Sequence, residues 1–417
     1  MVAVEPIALR VVRPEWAAEV LAPPHDALSP ADRRRHLADY PHSYLGVTRS
    51  PEDIELGEFD PAIEAMRRSR ASLVDLLTLG AFGPLQAPSL YLYRLEVPGH
   101  SQTGLVCGTA TAAYDAGEVR IHEQIKQPRV DLLARHLAHV GAQSSPIAMA
   151  FHGAPAVEAV IARVTSATEP HLEVVDRDLR QTLWAVSDPG DVDVVRQALT
   201  DQPLYLIDGH HRAAAASAHQ ARAGVAGQLM LSVIFPFAEL RNLAFHRILR
   251  GVDGEEVLSK VRERFVVRGV VTPEEVTNRP EGWMAMAVGG EQLRWYLVEL
   301  PPPPPGDLDI DPVRLGRHVL EPILGIDEAS ADGSVIHQPG PGHADAVAAL
   351  RLESDEVAFW MRPVAAEVLL DVADRGGTMP PKSTYFVPKV RSGLFVRLTD
   401  PALEAGSVTG DTDESEQ

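Results

Sequence analysis

The stretch Leu204-Tyr205-Leu206-Ile207-Asp208-Gly209-His210-His211-Arg212, followed by Ala213-Ala214-Ala215-Ala216, decides how the chain is read. Four consecutive apolar residues specify a buried strand and the alanines have high helix propensity, so the polar cluster between them is expected on a strand-to-helix turn. Such a turn points backbone N–H groups and the positive end of a helix dipole outward, which favours an anion. Gly209 lets the backbone approach a phosphate closely, and Arg212 can fork onto its oxygens. The competing reading is an ordinary turn in which Asp208 caps the helix. Two histidines and an arginine behind the Asp-Gly pair favour the ligand.

Outward from this turn, apolar runs at Leu90 to Val97, Gly104 to Ala113, Pro146 to Phe151, Leu172 to Val175, Thr182 to Val186 and Leu229 to Phe235 alternate with helical segments. That alternation predicts an α/β (α+β) fold with a mixed sheet in the central region. Before it, Pro23-Pro24 precedes a polar helix at Pro30 to Asp39 and a longer one near Ala62 to Leu79, with few strand signals. After it come a helix at Glu255 to Arg264, paired strands at Trp283 to Val288 and Leu293 to Val298, a stiff Pro301 to Pro305 run, and helices near Arg314 to Leu320 and Ala365 to Ala373. The expected division is a helical N-terminal cap at 1–88, a catalytic domain at 89–250, an α+β domain at 251–400 and a disordered acidic tail at 401–417.

Charge narrows the function classes. The formal net charge is −20 at pH 7 and no Lys/Arg-dense stripe relieves it, so a nucleic-acid duplex or an anionic membrane is not an expected partner. A nucleotide remains open, since a local cluster of cations can hold phosphates, usually with a divalent ion. One cysteine, Cys107, allows no disulfide framework within the chain, and no run of about 18 apolar residues exists. A reducing, cytoplasmic location is expected.

Two further segments carry chemistry. Arg120-Ile121-His122-Glu123 precedes Lys126, Arg129 and a helix whose Val130, Leu133, Leu137 and Val140 recur at helical spacing. The second histidine of a zinc-protease helix is missing. A carboxylate at a strand end beside Lys126 and Arg129 suits instead the acceptance of a hydroxyl proton near a phosphate. The segment Met379-Pro380-Pro381-Lys382-Ser383-Thr384-Tyr385-Phe386-Val387-Pro388-Lys389 holds Lys382 and Ser383 between prolines, as a surface loop or as part of a site. His122, His246 and Arg247 complete the possible substrate or phosphate contacts.

Pro23-Pro24-His25-Asp26, His122-Glu123, Gly141-Ala142-Gln143, Asp208-Gly209-His210-His211-Arg212, His246-Arg247 and Met379 to Phe386 together resemble the family catalogued as domain of unknown function 1015, from Ala8 to about Leu398. One step further out, His-Glu followed by Asp-Gly-x-His-Arg resembles the free-serine kinases built on the ParB/sulfiredoxin fold, over about residues 90 to 250. That resemblance implies Glu123 as catalytic base and Asp208 as a catalytic or magnesium-binding carboxylate. It places Gly209, His210, His211 and Arg212 around the phosphates of ATP or ADP, where the residue pattern adds Lys126 and Arg129, and it makes a free amino acid, serine foremost, the acceptor. The ParB relation equally permits a non-catalytic nucleotide-binding regulatory module, and the histidines a metal hydrolase.

Overall fold

The computed structural model describes residues 4–404, apart from residues 56, 58, 177, 201, 225–226, 271 and 329–333 and the side chain of Asp26. The expected acidic tail lies outside the described residues from 405 onward. Within the stretch assigned to it, Pro401–Glu404 form a helical turn whose Leu403 is buried.

The chain divides into two compact units, and neither is continuous in sequence. The first comprises residues 1–121, 125–240 and 388–417, and the second residues 122–124 and 241–387. The described residues before 88 and after 387 are thus grouped with the central region in the first unit.

The first unit is built on a nine-stranded sheet of β1 (Val4–Glu5), β2 (Leu90–Val97), β3 (His100–Ala110), β4 (Val119–Arg120), β5 (Ile147–Phe151), β6 (Leu172–Asp176), β7 (Leu179–Val186), β8 (Leu204–Asp208) and β9 (Leu229–Pro236). In space the order is β4-β8-β5-β9-β3-β2-β7-β6, with β1 on β3. The pairs β4/β8 and β5/β9 are parallel and the remainder antiparallel, so the mixed sheet expected from the apolar runs is present. Central strands such as β5, buried along all its length, are apolar on both faces because helices and loops cover both. A core of Leu92, Leu105, Met149, Phe151, Leu204, Leu206 and Ile234 runs through the middle of the sheet. Helices at Pro30–Asp39 and Pro61–Thr78 stand where the N-terminal pattern put them, each entered by proline behind a capping Ser29 or Asp60.

The second unit is an antiparallel seven-stranded sheet of β10 (Arg241–Arg250), β11 (Val267–Val270), β12 (Trp283–Val288), β13 (Arg294–Glu299), β14 (Val335–Gly340), β15 (Glu356–Trp360) and β16 (Tyr385–Val387). Its order is β11-β13-β12-β15-β10-β14, with β16 on β10. Alternation sends Met284, Met286, Val288 and Phe359 into one core, and Ala285, Ala287, Leu297 and Trp360 into another. The helix Gly254–Arg262 closes the first of these with Val257, Leu258 and Val261, and Asp253 caps it by accepting the N–H groups of Glu255 and Glu256.

Candidate functional site

The first unit positions the Asp208 turn at the end of β8. The ladder to β5 shifts register between Leu206 and Asp208, so the strand bends as it leaves the sheet. Gly209 follows with φ 96° and ψ 30°, a left-handed conformation that non-glycine residues adopt at a cost of about 1–2 kcal/mol, and the helix His210–Ala223 begins at once. Asp208 does not cap that helix. Its Oδ2 accepts a hydrogen bond from Arg212 Nη2 at 2.5 Å and its Oδ1 accepts one from Lys389 Nζ at 2.7 Å. Gly209 serves this arrangement twice: besides its positive φ, a Cβ there would lie 2.8 Å from Nε and Nη2 of Arg212, so glycine alone lets the guanidinium fold back over the turn.

Burial would raise the Asp208 carboxyl, but the charges of Lys389 and Arg212 outweigh it and hold the group well below the usual carboxylate range. The three side chains remain open to solvent on one side, with exposures of 33% for Asp208, 34% for Arg212 and 11% for Lys389. Two cations on one carboxylate at a helix N-terminus make a receptor suited to phosphate oxygens.

His210 and His211 open the helix that follows the turn. His211 Nε2 accepts the backbone N–H of Lys126 at 3.0 Å, tying the start of helix Gln127–Val140 to helix His210–Ala223. The two helices pack through Val130, Ala134, Ala214 and Ala215. His210 is buried in the first turn, near enough for its charge to act on Asp208. Lys126 thus reaches the turn by its backbone, and Arg129 lies in the first turn of its helix, where its charge acts on Glu52 and His136. The parallel register of β4 on β8, Leu204 opposite Val119 and Tyr205 opposite Arg120, makes Ile121 leave the sheet at the same end as Asp208.

His122 and Glu123 belong to the second unit. Met379 donates its N–H to the His122 carbonyl at 2.8 Å, Glu123 forms a parallel bridge with Met379, and the buried His122 ring meets Thr384 Oγ1 at 3.2 Å. Glu123 is therefore carried on a short segment fastened to the 379–384 loop.

The remaining expected contacts have internal partners. Arg247, with 0% of its side chain exposed, pairs with Glu328 at 2.7 Å and donates to the carbonyls of Phe245, Pro381 and Lys382. His246 stacks on Trp360 with centroids 3.5 Å apart and accepts the Met361 N–H. Ser383 Oγ donates to the Pro380 carbonyl at 2.7 Å, and Lys382, at φ 56°, sets its ammonium over the Phe245 ring. These residues build the loop and its anchor.

Lys389 is the functional candidate that the sequence reading quoted and left without a role. Its place in the sequence, directly behind Pro388 at the end of the proline-bounded segment, carries no signal of that pairing.

A magnesium ion was expected on Asp208. Both of its oxygens are held by cations, and a divalent ion there would meet two positive charges, so the residues present do not fit a metal at this position. Among the described residues no group of three or more His, Cys, Asp or Glu is placed to hold a metal. No helix among them is long and apolar enough to cross a membrane.

Comparison with solved structures finds chains of low identity. A free serine kinase in complex with AMP is 17% identical, covering 66% of this chain and 89% of its own at a TM-score of 0.35. SbnI with a C-terminal truncation from Staphylococcus aureus is 12% identical, covering 74% and 90% at 0.37. A conserved hypothetical protein from Pyrococcus furiosus is 17% identical, covering 66% and 92% at 0.32. At these scores the likeness carries no argument about any residue. The curated proteins contain no match. The model of the family described as a protein of unknown function, DUF1015, matches residues 5–317, about three quarters of the sequence, and the chain belongs to that family.

Proposed function

We propose that this protein is a nucleotide-dependent kinase that phosphorylates the side-chain hydroxyl of a small free amino acid, serine foremost, with ATP or ADP as donor. The observation that carries the reading is the convergence of Arg212 and Lys389 on Asp208 at the N-terminus of helix His210–Ala223, on a side open to solvent. Phosphoryl transfer asks chiefly for positioning and for stabilisation of charge on the transferred oxygens, which the two cations held at the turn would supply.

Glu123 takes the role of base. The acceptor oxygen forms its bond to the terminal phosphorus as the bond from that phosphorus to the bridging oxygen breaks, the hydroxyl proton passes to the Glu123 carboxylate, and the shortened nucleotide leaves with the electron pair. The serine assignment comes from the resemblance of His122-Glu123 and the Asp208 to Arg212 turn to the free-serine kinases.

The test is a screen of free hydroxy amino acids with ATP and with ADP, following O-phosphorylated product by mass. A serine-dependent product is expected. Nucleotide that binds and is never consumed with any acceptor would replace the kinase by a nucleotide-binding regulatory module.

A further inference from the structure

We propose that Arg49, with Arg68 and the Ser72 hydroxyl, forms a receptor for a phosphate group, distinct from the Asp208 turn and built where an N-terminal loop lies against helix Pro61–Thr78. This receptor is independent of the kinase reading above.

Arg49 is a cation without a counter-ion. Among the described residues none hydrogen-bonds or ion-pairs with its guanidinium, and its Nε is buried without an acceptor. A guanidinium carries five donors, and enclosing one unpaired costs free energy that a folded chain seldom leaves uncompensated. Burial, followed by the like charge of Arg68, pulls the Arg49 pKa below its usual value, and the charge of Asp53 opposes them without prevailing.

The acids around it are engaged elsewhere. Asp53 accepts from Arg33 Nε at 2.7 Å and from the Ser50 N–H and hydroxyl at 2.8 and 3.1 Å, with His25 Nε2 at 3.7 Å. Glu64 accepts from Arg67 at 2.8 Å and from Arg68 Nε at 2.6 Å, one carboxylate for two guanidiniums. Glu52 is governed by Ser50, Arg129 and Arg33. None of the three pairs with Arg49.

Close packing brings a second donor beside Arg49. Gly46, at the end of the turn Tyr44–Gly46, lies so near the helix that a Cβ on it would stand 3.1 Å from Ser72 Oγ and 3.6 Å from Arg49 Nη2. Hydroxyl and guanidinium thus face one small space that the glycine leaves open. Arg68 stands one turn before Ser72 on the same helix face, and half of its side chain is exposed, so that side meets solvent. Two guanidiniums and a hydroxyl offer more donors than the two oxygens of a carboxylate can use, and they suit the larger set on a phosphate.

The experiment is calorimetric titration of the full-length chain with inorganic phosphate, ethyl phosphate and acetate. Arg212→Ala is the parent, since it removes the guanidinium of the Asp208 turn, and Arg49→Gln and Arg49→Lys are added to it. Phosphate is expected to bind the parent. Arg49→Gln weakens that binding about tenfold or more, as loss of a charge-assisted bond does, and Arg49→Lys falls between the two. The tighter of the two phosphate probes tells a free ion from an ester. Denaturant unfolding without phosphate should find Arg49→Gln at least as stable as its parent, because an unpaired charge has gone. A clear loss of stability there makes Arg49 structural and overturns the receptor. Phosphate binding untouched by Arg49→Gln, or no phosphate binding by the parent, overturns it as well. Acetate that binds as tightly as phosphate overturns the choice of ligand. None of these results bears on serine-dependent turnover, whose failure would leave this receptor standing.

Discussion

The segments Asp208 to Arg212 in the first unit and Phe245 to Arg247 in the second both set histidine beside arginine, and they meet solvent in opposite ways. Arg212 is 34% exposed and shares Asp208 with Lys389, whereas Arg247 is fully enclosed and spends its donors on Glu328 and three carbonyls. Place within the strand makes the difference. Arg247 lies in the middle of β10, with β14 and β15 on either side, so a polar side chain there must find its partners inside. Asp208 is the last residue of β8, past the regular ladder, and the side chains that follow reach beyond the sheet. A histidine-arginine pair thus stays partly open to solvent where the strand has ended and is enclosed where it has not.

Substituting the two arginines separately is the strongest way to break this comparison. Arg247→Ala removes one partner of a buried pair and strands Glu328 and the loop carbonyls, so denaturant unfolding should report a loss of about 3–5 kcal/mol. Arg212→Ala should alter stability by no more than about 1 kcal/mol, because its pair is partly exposed, while weakening ADP binding in calorimetry by about tenfold. Equal loss of stability in both variants would erase the distinction between site and brace.

A smaller effect sharpens the brace. Desolvation beneath Trp360, reinforced by the charges of Arg279 and Arg247, pushes the His246 pKa down from 6.5 to about 3. The folded protein keeps this ring neutral at pH values where the unfolded chain protonates it. Its contribution to stability is complete above about 6.5 and is lost as pH falls toward about 3, with a slope of up to about 1.4 kcal/mol per pH unit. Unfolding midpoints between pH 7 and 4 should show that slope, and His246→Gln should flatten it. An unchanged slope in the variant would locate the titration elsewhere.

The strands of the first unit were legible because each is a short apolar run between turn residues. All seven runs read from Leu90 to Phe235 appear as β2, β3, β5, β6, β7, β8 and β9. The two-residue strands at Val4–Glu5 and Arg10–Val11 were not, since their partners, Thr109 and Gly108 for one and Phe395 and Val396 for the other, lie far along the chain and no local period announces them. The same non-locality hides the make-up of the units, in which residues 388–404 return to the first sheet's unit. β10 went unread because Arg241, His246 and Arg247 interrupt its apolar pattern, and the internal partners that make those residues tolerable come from other elements.

At the Asp208 turn, the passage from strand to helix was readable from residue types and order. The partners of Asp208 were not. A sequence shows a carboxylate, and only the fold shows that Lys389, 181 positions away, already occupies it.

The most direct test of phosphoryl transfer is turnover by Glu123→Gln set beside its nucleotide affinity. Removing a general base should cost about 10²–10⁴-fold in the rate of serine-dependent product formation, while the dissociation constant for ADP stays within about threefold of the wild type. An unchanged rate, or a fall in affinity that matches the fall in rate, would contradict the assignment of Glu123 as the base.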